Sequence, residues 1–227
     1  MKKYKKVTED ILINIYQKLY SSIGPRGWWP AESTFEIVVG AILTQNTSWK
    51  NVKKAVSNLK RENLLSPQIL FNTDTKVIAE IIKSSGYYNQ KAKKVKNFLE
   101  YFKLFDFSFE RMAERDLEEL REQLIKINGI GEETADSILL YALNKPVFVI
   151  DAYTKRIFSR LGFISENIKY SDLQRLFTEH LKKDTPLFNE YHALIDYLAH
   201  FICRKKPECQ RCVLNDECCY YNDGKGD

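Results

Sequence analysis

Long hydrophobic runs, glycine and proline are scarce in this sequence. No stretch of the 227 residues approaches the roughly 18 consecutive apolar residues that a membrane-spanning helix needs, which argues against a membrane protein. Nine glycines and six prolines are too few for the many turns of an all-β chain. Glu9 and Asp10 interrupt the apolar segment that a secretory signal would place after the basic N-terminus, so we expect a cytoplasmic protein.

Cysteine is absent from the first 202 residues, and all five cysteines lie between Cys203 and Cys219. A disulfide framework would be spread through the chain, so the clustering predicts a metal site in a reducing compartment. Four cysteines follow the pattern Cys203-(x)5-Cys209-(x)2-Cys212-(x)5-Cys218. Thiolates suit both zinc and iron–sulfur clusters, and the spacing does not decide between them. Cys219 is left over and could compete with Cys218.

The composition is that of a globular protein, with 44% apolar and 29% charged residues. A net charge of +5 permits nucleic-acid binding without establishing it. Apolar residues recur with helical spacing, and no strand pattern is found, so we predict an all-α protein. The predicted helical segments are 8–20, 33–44, one from Trp49, 75–83, 91–103, 107–126, 153–160, 171–182 and 188–202.

The most informative stretch is a predicted helix pair joined by Gly129-Ile130-Gly131. Glycine has no Cβ, so the turn can be tight and its backbone N–H groups can lie against another molecule. Such groups beside a helix N-terminus suit an anion, for which a DNA phosphate is the natural candidate. Beyond this pair, the apolar residues 147–150 lead to Asp151, which we expect at a buried edge, at the head of a third helix.

Two aromatic stretches allow more than one interpretation. Trp28 and Trp29 are adjacent in a loop before Pro30. Either one packs inward and the other covers a domain seam, or they line a ligand pocket. Tyr87 and Tyr88 follow Gly86 and precede several lysines. That segment is either a solvated helix face or an element that opens a duplex, because lysines neutralise phosphates and a planar side chain can enter the base stack.

The pattern Leu124-(x)4-Gly129-Ile130-Gly131-(x)2-Thr134-Ala135, followed by Val149-Ile150-Asp151, resembles the helix-hairpin-helix DNA glycosylases of the endonuclease III superfamily. The resemblance implies a two-domain all-α fold. A six-helix domain, 27–145, would carry the hairpin, and a discontinuous helical domain, 1–26 with 146–227, would carry the cysteine loop.

The resemblance also implies roles for the hairpin, Asp151 and the cysteine loop. Gly129, Gly131 and Thr134 would grip double-stranded DNA, and Asp151 would stabilise an oxocarbenium-like sugar. The four cysteines would bind a [4Fe–4S] cluster, although many family members have six residues in the first gap and this chain has five. The cluster would be structural, folding a basic loop that contains Arg204, Lys205, Lys206 and Arg211 beside the DNA.

Family members that also cleave the strand have a lysine nucleophile immediately before Thr-Ala, where this chain has Glu133. A carboxylate cannot form a Schiff base, so the resemblance implies a monofunctional enzyme that leaves an intact abasic site. Glu133 is then either a substrate contact at the pocket mouth or a favourable acid in the first turn of a helix.

Over roughly residues 27–162 the chain is similar to the 3-methyladenine DNA glycosylase III branch of this superfamily, on the motifs Trp28-Trp29-Pro30, residues 40–47 and residues 85–93. This implies a monomeric enzyme that releases alkylated purines, with Trp28, Trp29, Pro30, Trp49 and Glu133 at the base. Gln45 and Tyr87 would fill the gap in the duplex, and Lys91 would contact DNA. The best-known member of the branch lacks the cysteine loop.

Three alternatives remain open. One is an endonuclease III-type glycosylase and lyase acting on oxidised pyrimidines. Another is the mismatch-adenine branch, which usually adds a C-terminal recognition domain. The third is a non-catalytic protein that binds damaged DNA, in which Asp151 would have no chemical role.

Overall fold

The computed structural model describes residues 4–226, and every regular element in that range is helical, so the all-α prediction is confirmed. The α-helices are α1 (Glu9–Ile23), α2 (Thr34–Leu43), α3 (Trp49–Arg61), α4 (Pro67–Asn72), α5 (Thr75–Ile81), α6 (Tyr88–Phe102), α7 (Phe109–Ala113), α8 (Leu117–Lys126), α9 (Glu132–Ser137), α10 (Ala152–Leu161), α11 (Tyr170–His180), α12 (Thr185–Phe201) and α13 (Cys219–Asn222). A π-helical segment, Ile138–Ala142, continues α9. None of the described helices is both long and apolar enough to cross a membrane.

Helix boundaries follow local capping chemistry. The Thr8 side chain accepts a hydrogen bond from the Ile11 amide at the start of α1, as its position before an apolar helix predicts. The helical segment predicted over 107–126 contains two helices, because Asp116 caps a new one and accepts hydrogen bonds from the Glu118 and Glu119 amides.

The chain divides into two compact units. The central unit is Trp29–Lys145, and the terminal unit combines the chain up to Trp28 with the chain from Pro146 onward. The central unit contains α2 to α9, of which α4 and α7 are short. Its core surrounds α2, which packs against α3, α6, α9 and the π-helical segment. Most of α2 is apolar and buried, which is why it can be covered by several helices.

The core of the terminal unit is aromatic. Phe148 stacks on Phe177 at a centroid distance of 3.9 Å, and Tyr191 meets both rings edge-on. The buried Tyr191 hydroxyl donates to the Leu12 carbonyl oxygen at 2.9 Å, which fixes α12 against α1. The apolar residues 147–150 are buried and lie outside any helix, and they lead directly into the cap of α10.

Candidate functional site

The two hairpin glycines have different physical requirements. Gly129 has φ +96°, and a Cβ there would lie 2.3 Å from Lys94 Cγ, so both the backbone and the packing require glycine. Gly131 has an extended φ of −94°, and a Cβ there would have no neighbour within 4 Å. Neither strain nor packing within the central unit explains Gly131, and its missing side chain leaves the backbone at the start of α9 open to an external group. The buried Ile130 anchors the turn between them.

Gln45 is held by the hairpin. Its Nε2 donates to the Gly129 carbonyl oxygen at 3.1 Å and to Thr134 Oγ1 at 3.0 Å, and Lys94 Nζ donates to its Oε1. Insertion into DNA would break these bonds, so in this structure Gln45 braces the hairpin. Thr134 is only 6% exposed. Its hydroxyl is buried against Gln45, and the DNA contact predicted for Thr134 stays a prediction.

A buried ion pair joins the two hairpin helices. Arg121 of α8 donates to both carboxylate oxygens of Asp136 in α9, at 2.6 and 3.0 Å, and Asp136 is fully buried. A bidentate pair of this kind sets the angle and register of the helices that present the glycine turn. Sequence reasoning missed it, although an aspartate inside the apolar segment 135–142 was an available signal.

Tyr87 is presented to solvent by a strained turn. Its φ of +45° lies in the left-handed region, which is uncommon for a residue other than glycine, and Gly86 before it has φ +68°. The side chain is 67% exposed. An exposed aromatic residue on a strained turn is a candidate for contact with a partner, as the wedge interpretation requires.

Lys91 is buried within the central unit, and the DNA contact predicted for it stays a prediction. Only 2% of the residue is exposed. Its Nζ donates to the carbonyl oxygens of Leu43 at 2.9 Å and Ser85 at 2.6 Å. Burial and, to a smaller extent, the nearby Lys94 charge together lower the pKa of this ammonium from 10.5 to about 8. The lysine-rich pattern predicted exposure because helical spacing does not reveal which carbonyl groups a folded chain brings to one face.

The central unit groups three aromatic side chains. The Trp29 ring lies 5.2 Å from Trp49 at 85° and 5.3 Å from Tyr141 at 59°. Trp29 also packs on Gly40, where a Cβ would lie 3.2 Å from the indole. Both tryptophans are half-buried, so each keeps some accessible surface. Tyr141 was missed from sequence, and it belongs to the π-helical segment, a feature often found at functional sites.

Three other residues are predicted to contact the damaged nucleobase: Trp28, Pro30 and Glu133. Trp28 is half-buried and belongs to the terminal unit. Pro30 is exposed between Trp29 and α2. Glu133 is exposed in the first turn of α9, where a carboxylate also stabilises the helix N-terminus. Both interpretations of Glu133 therefore stay predictions.

Asp151 is the N-cap of α10, as the sequence predicts. Its Oδ1 accepts hydrogen bonds of 2.7 Å from both the amide and the hydroxyl of Thr154, and the Thr154 side chain is buried. The Asp151 side chain is 12% exposed. The start of α10 thus fixes one carboxylate oxygen, and the second oxygen, Oδ2, faces His192.

His192 and Asp196 of α12 complete this charged group. His192 Nε2 lies 3.9 Å from Asp151 Oδ2. Burial raises the pKa of the Asp196 carboxyl, the charges of His200 and His192 oppose that increase, and the Asp151 carboxylate adds to it. Asp151 therefore lies in a partly buried environment with a histidine and a second carboxyl nearby, which strengthens electrostatic interactions there.

The four predicted cysteine ligands line one cavity of the terminal unit, together with Arg160, Tyr220 and Tyr221. Burial and, to a smaller extent, the other three thiols raise the pKa of the Cys212 thiol to about 11. Cys219 is not among the lining residues, and its Sγ instead packs on Gly162. Within residues 4–226, no three His, Cys, Asp or Glu side chains are arranged to bind a single metal ion.

Two arginines of α10 connect the helix headed by Asp151 to the cysteine loop. Arg156 donates to the carbonyl oxygens of Cys203 and Ala199, at 3.0 and 3.1 Å. Arg160 Nη1 lies 3.3 Å from Cys203 Sγ and donates to the Arg204 carbonyl oxygen at 2.6 Å. Sequence reasoning missed both, although their four-residue spacing on an amphipathic helix places them on one face.

The basic residues of the cysteine loop are only partly available. Arg204 and Arg211 both pair with Glu208, whose pKa they lower. Lys205 and Lys206 are exposed. The loop therefore offers less positive charge to a partner than its sequence predicts.

A basic cleft of about 460 Å³ lies beside the hairpin in the central unit. Its lining residues carry three positive charges and no carboxylate: Thr75, Gln90, Lys93, Lys94, Lys96, Asn97 and Asn128. Asn128 directly precedes Gly129. The cleft therefore extends positive potential from α6 to the turn that the sequence assigns to phosphate binding.

Comparison with known proteins agrees with this arrangement. Residues 39–183 match the HhH-GPD superfamily of base excision DNA repair proteins. A Methanocaldococcus jannaschii protein, provisionally named a DNA repair glycosylase, is 47% identical over 92% of this chain and 96% of its own length. Endonuclease III of Sulfolobus acidocaldarius is 31% identical over 97% of this chain and 95% of its own.

Among solved structures, H. pylori 3-methyladenine DNA glycosylase (MagIII) bound to 1,N6-ethenoadenine is similar, with a TM-score of 0.71 and 28% identity. The similarity covers 85% of this chain and 97% of the H. pylori chain. With the glycine hairpin, the capped aspartate and a match over most of its length, the chain belongs to the HhH-GPD superfamily and is a DNA repair glycosylase.

Proposed function

We propose that this glycosylase is monofunctional and hydrolyses the N-glycosidic bond of alkylated purines such as 3-methyladenine, with 7-methylguanine as a further substrate. The observation that carries the proposal is the aromatic group of Trp29, Trp49 and Tyr141. In the same chain, Glu133 occupies the position at which strand-cleaving family members have their lysine nucleophile. The similarity to MagIII, solved with an ethenoadenine base, supports the same substrate class.

The aromatic side chains would select the damaged base by charge. N3- and N7-alkylated purines carry formal positive charge, and an indole face attracts a cation by about 0.5–2 kcal/mol per good contact. A neutral purine gains no such term. Trp28, Trp29 and Trp49 would hold the extruded base, with Pro30 and Glu133 as further contacts, and Tyr141 would fix the orientation of Trp29.

Asp151 would stabilise the positive sugar that develops as the bond breaks. Thr154 fixes one carboxylate oxygen, so the charge is held in place before the reaction, which is the condition under which electrostatic stabilisation is strongest. The carboxylate can also orient or deprotonate the attacking water. A charged base is already a good leaving group, so little acid catalysis is needed.

The hairpin and Tyr87 would engage the DNA. Backbone N–H groups at Gly129 and Gly131 would contact phosphates, Tyr87 would enter the duplex, and the basic cleft would neutralise flanking phosphates. Gln45, which braces the hairpin here, would fill the gap only after its bonds to the hairpin exchange for bonds to DNA. We propose that the enzyme acts in the cytoplasm as a monomer.

The cysteine loop would bind a [4Fe–4S] cluster. An all-sulfur donor set around one cavity fits iron–sulfur ligation. A cluster would supply the positive charge that stabilises the thiolates, of which Cys212 and Cys218 otherwise have pKa values raised by burial. Cys203, Cys209, Cys212 and Cys218 would be the ligands. The role of the cluster is structural: this chain's own Arg156 and Arg160 connect the loop to the helix that Asp151 heads.

The experiment is incubation of the purified protein with methylated duplex DNA and identification of the released bases. Release of 3-methyladenine, with intact abasic strands, supports the proposal. The 31% identity to an endonuclease III favours a second candidate, a glycosylase and lyase acting on oxidised pyrimidines. Borohydride trapping of a covalent protein–DNA adduct would support that candidate and overturn the monofunctional proposal.

A further inference from the structure

Three polar residues of α6, Lys91, Lys94 and Asn97, recur at intervals of three and therefore share one face of the helix. We call them the α6 ridge. Each residue reaches a different part of the chain through a hydrogen bond, and all of those parts belong to the central unit. None of these three residues pairs with a carboxylate among the ion pairs of the described chain.

The Lys91 ammonium group donates hydrogen bonds to the backbone of two separate segments. Its acceptors are the carbonyl oxygens of Leu43, at 2.9 Å, and Ser85, at 2.6 Å. Leu43 lies two residues before Gln45, and Ser85 lies two residues before Tyr87. Because the ammonium is buried, water cannot replace it as a donor to these carbonyls, and both segments depend on it for their relative position.

Lys94 and Asn97 extend the ridge to the hairpin. Lys94 donates to Gln45 Oε1, and its alkyl chain fills the space beside Gly129. Asn97 Nδ2 donates to the Asn128 carbonyl oxygen at 2.9 Å. The loop of Gln45, the turn of Tyr87 and the glycine hairpin are therefore tied to a single rigid helix.

The Tyr87 turn needs such support. A tyrosine at φ +45° is strained, and a strained conformation persists only when its surroundings determine it. The residue is 67% exposed, so its side chain provides little of that support. The Tyr87 carbonyl oxygen accepts hydrogen bonds from the Gln90 and Lys91 amides at the start of α6, and the Lys91 ammonium adds a hydrogen bond to the Ser85 carbonyl oxygen just before the turn.

We propose that the α6 ridge is a positioning device: it holds the Tyr87 turn at a fixed distance from the hairpin, so that gripping the DNA backbone drives Tyr87 into the base stack. The inference rests on the proposed function, because it assumes that Tyr87 enters damaged DNA. It assigns Lys91 and Lys94 to internal bracing, while the solvent-facing Lys93 remains available to phosphates.

The test separates base extrusion from base release. The probe is a duplex with 2-aminopurine beside a tetrahydrofuran abasic analogue, and fluorescence reports unstacking while anisotropy reports binding. The tetrahydrofuran analogue has no glycosidic bond, so chemistry does not intervene. We expect Lys91→Met to reduce the extrusion equilibrium roughly 10- to 100-fold, the effect of losing charged hydrogen bonds. Affinity for undamaged duplex should change far less, and Lys91→Arg should recover part of the loss.

A double-mutant cycle with Tyr87→Ala gives the decisive comparison. If Lys91 acts through Tyr87, then Lys91→Met causes no further loss of extrusion in the Tyr87→Ala background. Equal losses in both backgrounds, or normal extrusion by Lys91→Met, would overturn the proposal. Should Lys91→Met not fold, Lys94→Met and Asn97→Ala make the same comparison at less buried positions.

Failure of the proposed function is distinguishable from failure of the ridge. If the parent protein does not unstack the probe, the damaged-DNA function is wrong. Amide hydrogen exchange on the DNA-free protein then still tests the ridge, since Lys91→Met should speed exchange at Gly86–Tyr87 and at the hairpin together. Unchanged exchange at either segment would show that the ridge does not couple them.

Discussion

Asp151→Asn should abolish most base release while leaving the fold intact. The two bonds from Thr154 converge on Oδ1, which asparagine retains, and asparagine is as good an N-cap as aspartate. Only the charge is lost. Its removal from a helix N-terminus costs about 0.3–1 kcal/mol of folding stability, so the variant should unfold within a few degrees of the wild type.

The catalytic loss can be estimated from the same charge. Two unit charges about 4 Å apart, at the effective dielectric constant of about 20 typical of partly buried groups, interact by about 4 kcal/mol. Loss of that term at the transition state corresponds to a rate about 10³-fold lower. The assay is single-turnover release of 3-methyladenine from methylated DNA, with binding measured separately and expected to persist.

Asp184→Asn is the matched control. Asp184 caps α12 in the same unit and accepts a hydrogen bond from the Leu187 amide at 2.8 Å, so the chemical change and the structural setting are alike. This variant should release base at the wild-type rate. Unchanged release by Asp151→Asn, or an equal loss in both variants, would refute the assignment of Asp151 to the sugar cation.

Three further predictions follow from other contacts. Gly131→Ala should fold normally, because its Cβ would meet open space, and it should bind DNA weakly, because that Cβ would cover backbone that contacts DNA. Gly129→Ala should instead destabilise the hairpin, because its Cβ would clash with Lys94. Thermal melts and DNA titrations distinguish the two variants, and equal melting temperatures would contradict the packing. For Lys91, the unfolded chain binds a proton below about pH 10.5 and the folded chain only below about pH 8, so between these values stability rises with pH. Urea titrations should show that the free energy of unfolding of the wild type, relative to that of Lys91→Met, rises by up to about 3 kcal/mol across that pH window. A difference that stays constant with pH would show that Lys91 is not desolvated. Cys218→Ala should remove the iron–sulfur absorbance of the purified protein and Cys219→Ala should retain it, since Cys218 lines the cavity and Cys219 packs on Gly162; loss in the second variant alone would reverse the ligand assignment.

The helices, their caps and the hairpin were predictable from sequence because they depend on neighbours a few residues away. Thr8 and Asp151 act within three residues of themselves, and helical periodicity repeats within one turn. The glycine turn and the extended apolar run before Asp151 are local in the same sense. These short-range rules were enough to predict an all-α chain, and its motifs indicated a DNA glycosylase through their resemblance to the endonuclease III superfamily.

Only the tertiary structure decided the roles of the polar side chains. Lys91 is buried because folding brings a carbonyl oxygen from 48 residues away onto it. Gln45 braces the hairpin through hydrogen bonds to groups 84 and 89 residues away in sequence. The Tyr141 ring contacts Trp29, although most of the sequence of the central unit lies between them. A polar residue has the same local pattern whether it faces solvent or a distant carbonyl. Its role is therefore set by long-range packing, which buries a donor only where the fold supplies its acceptor.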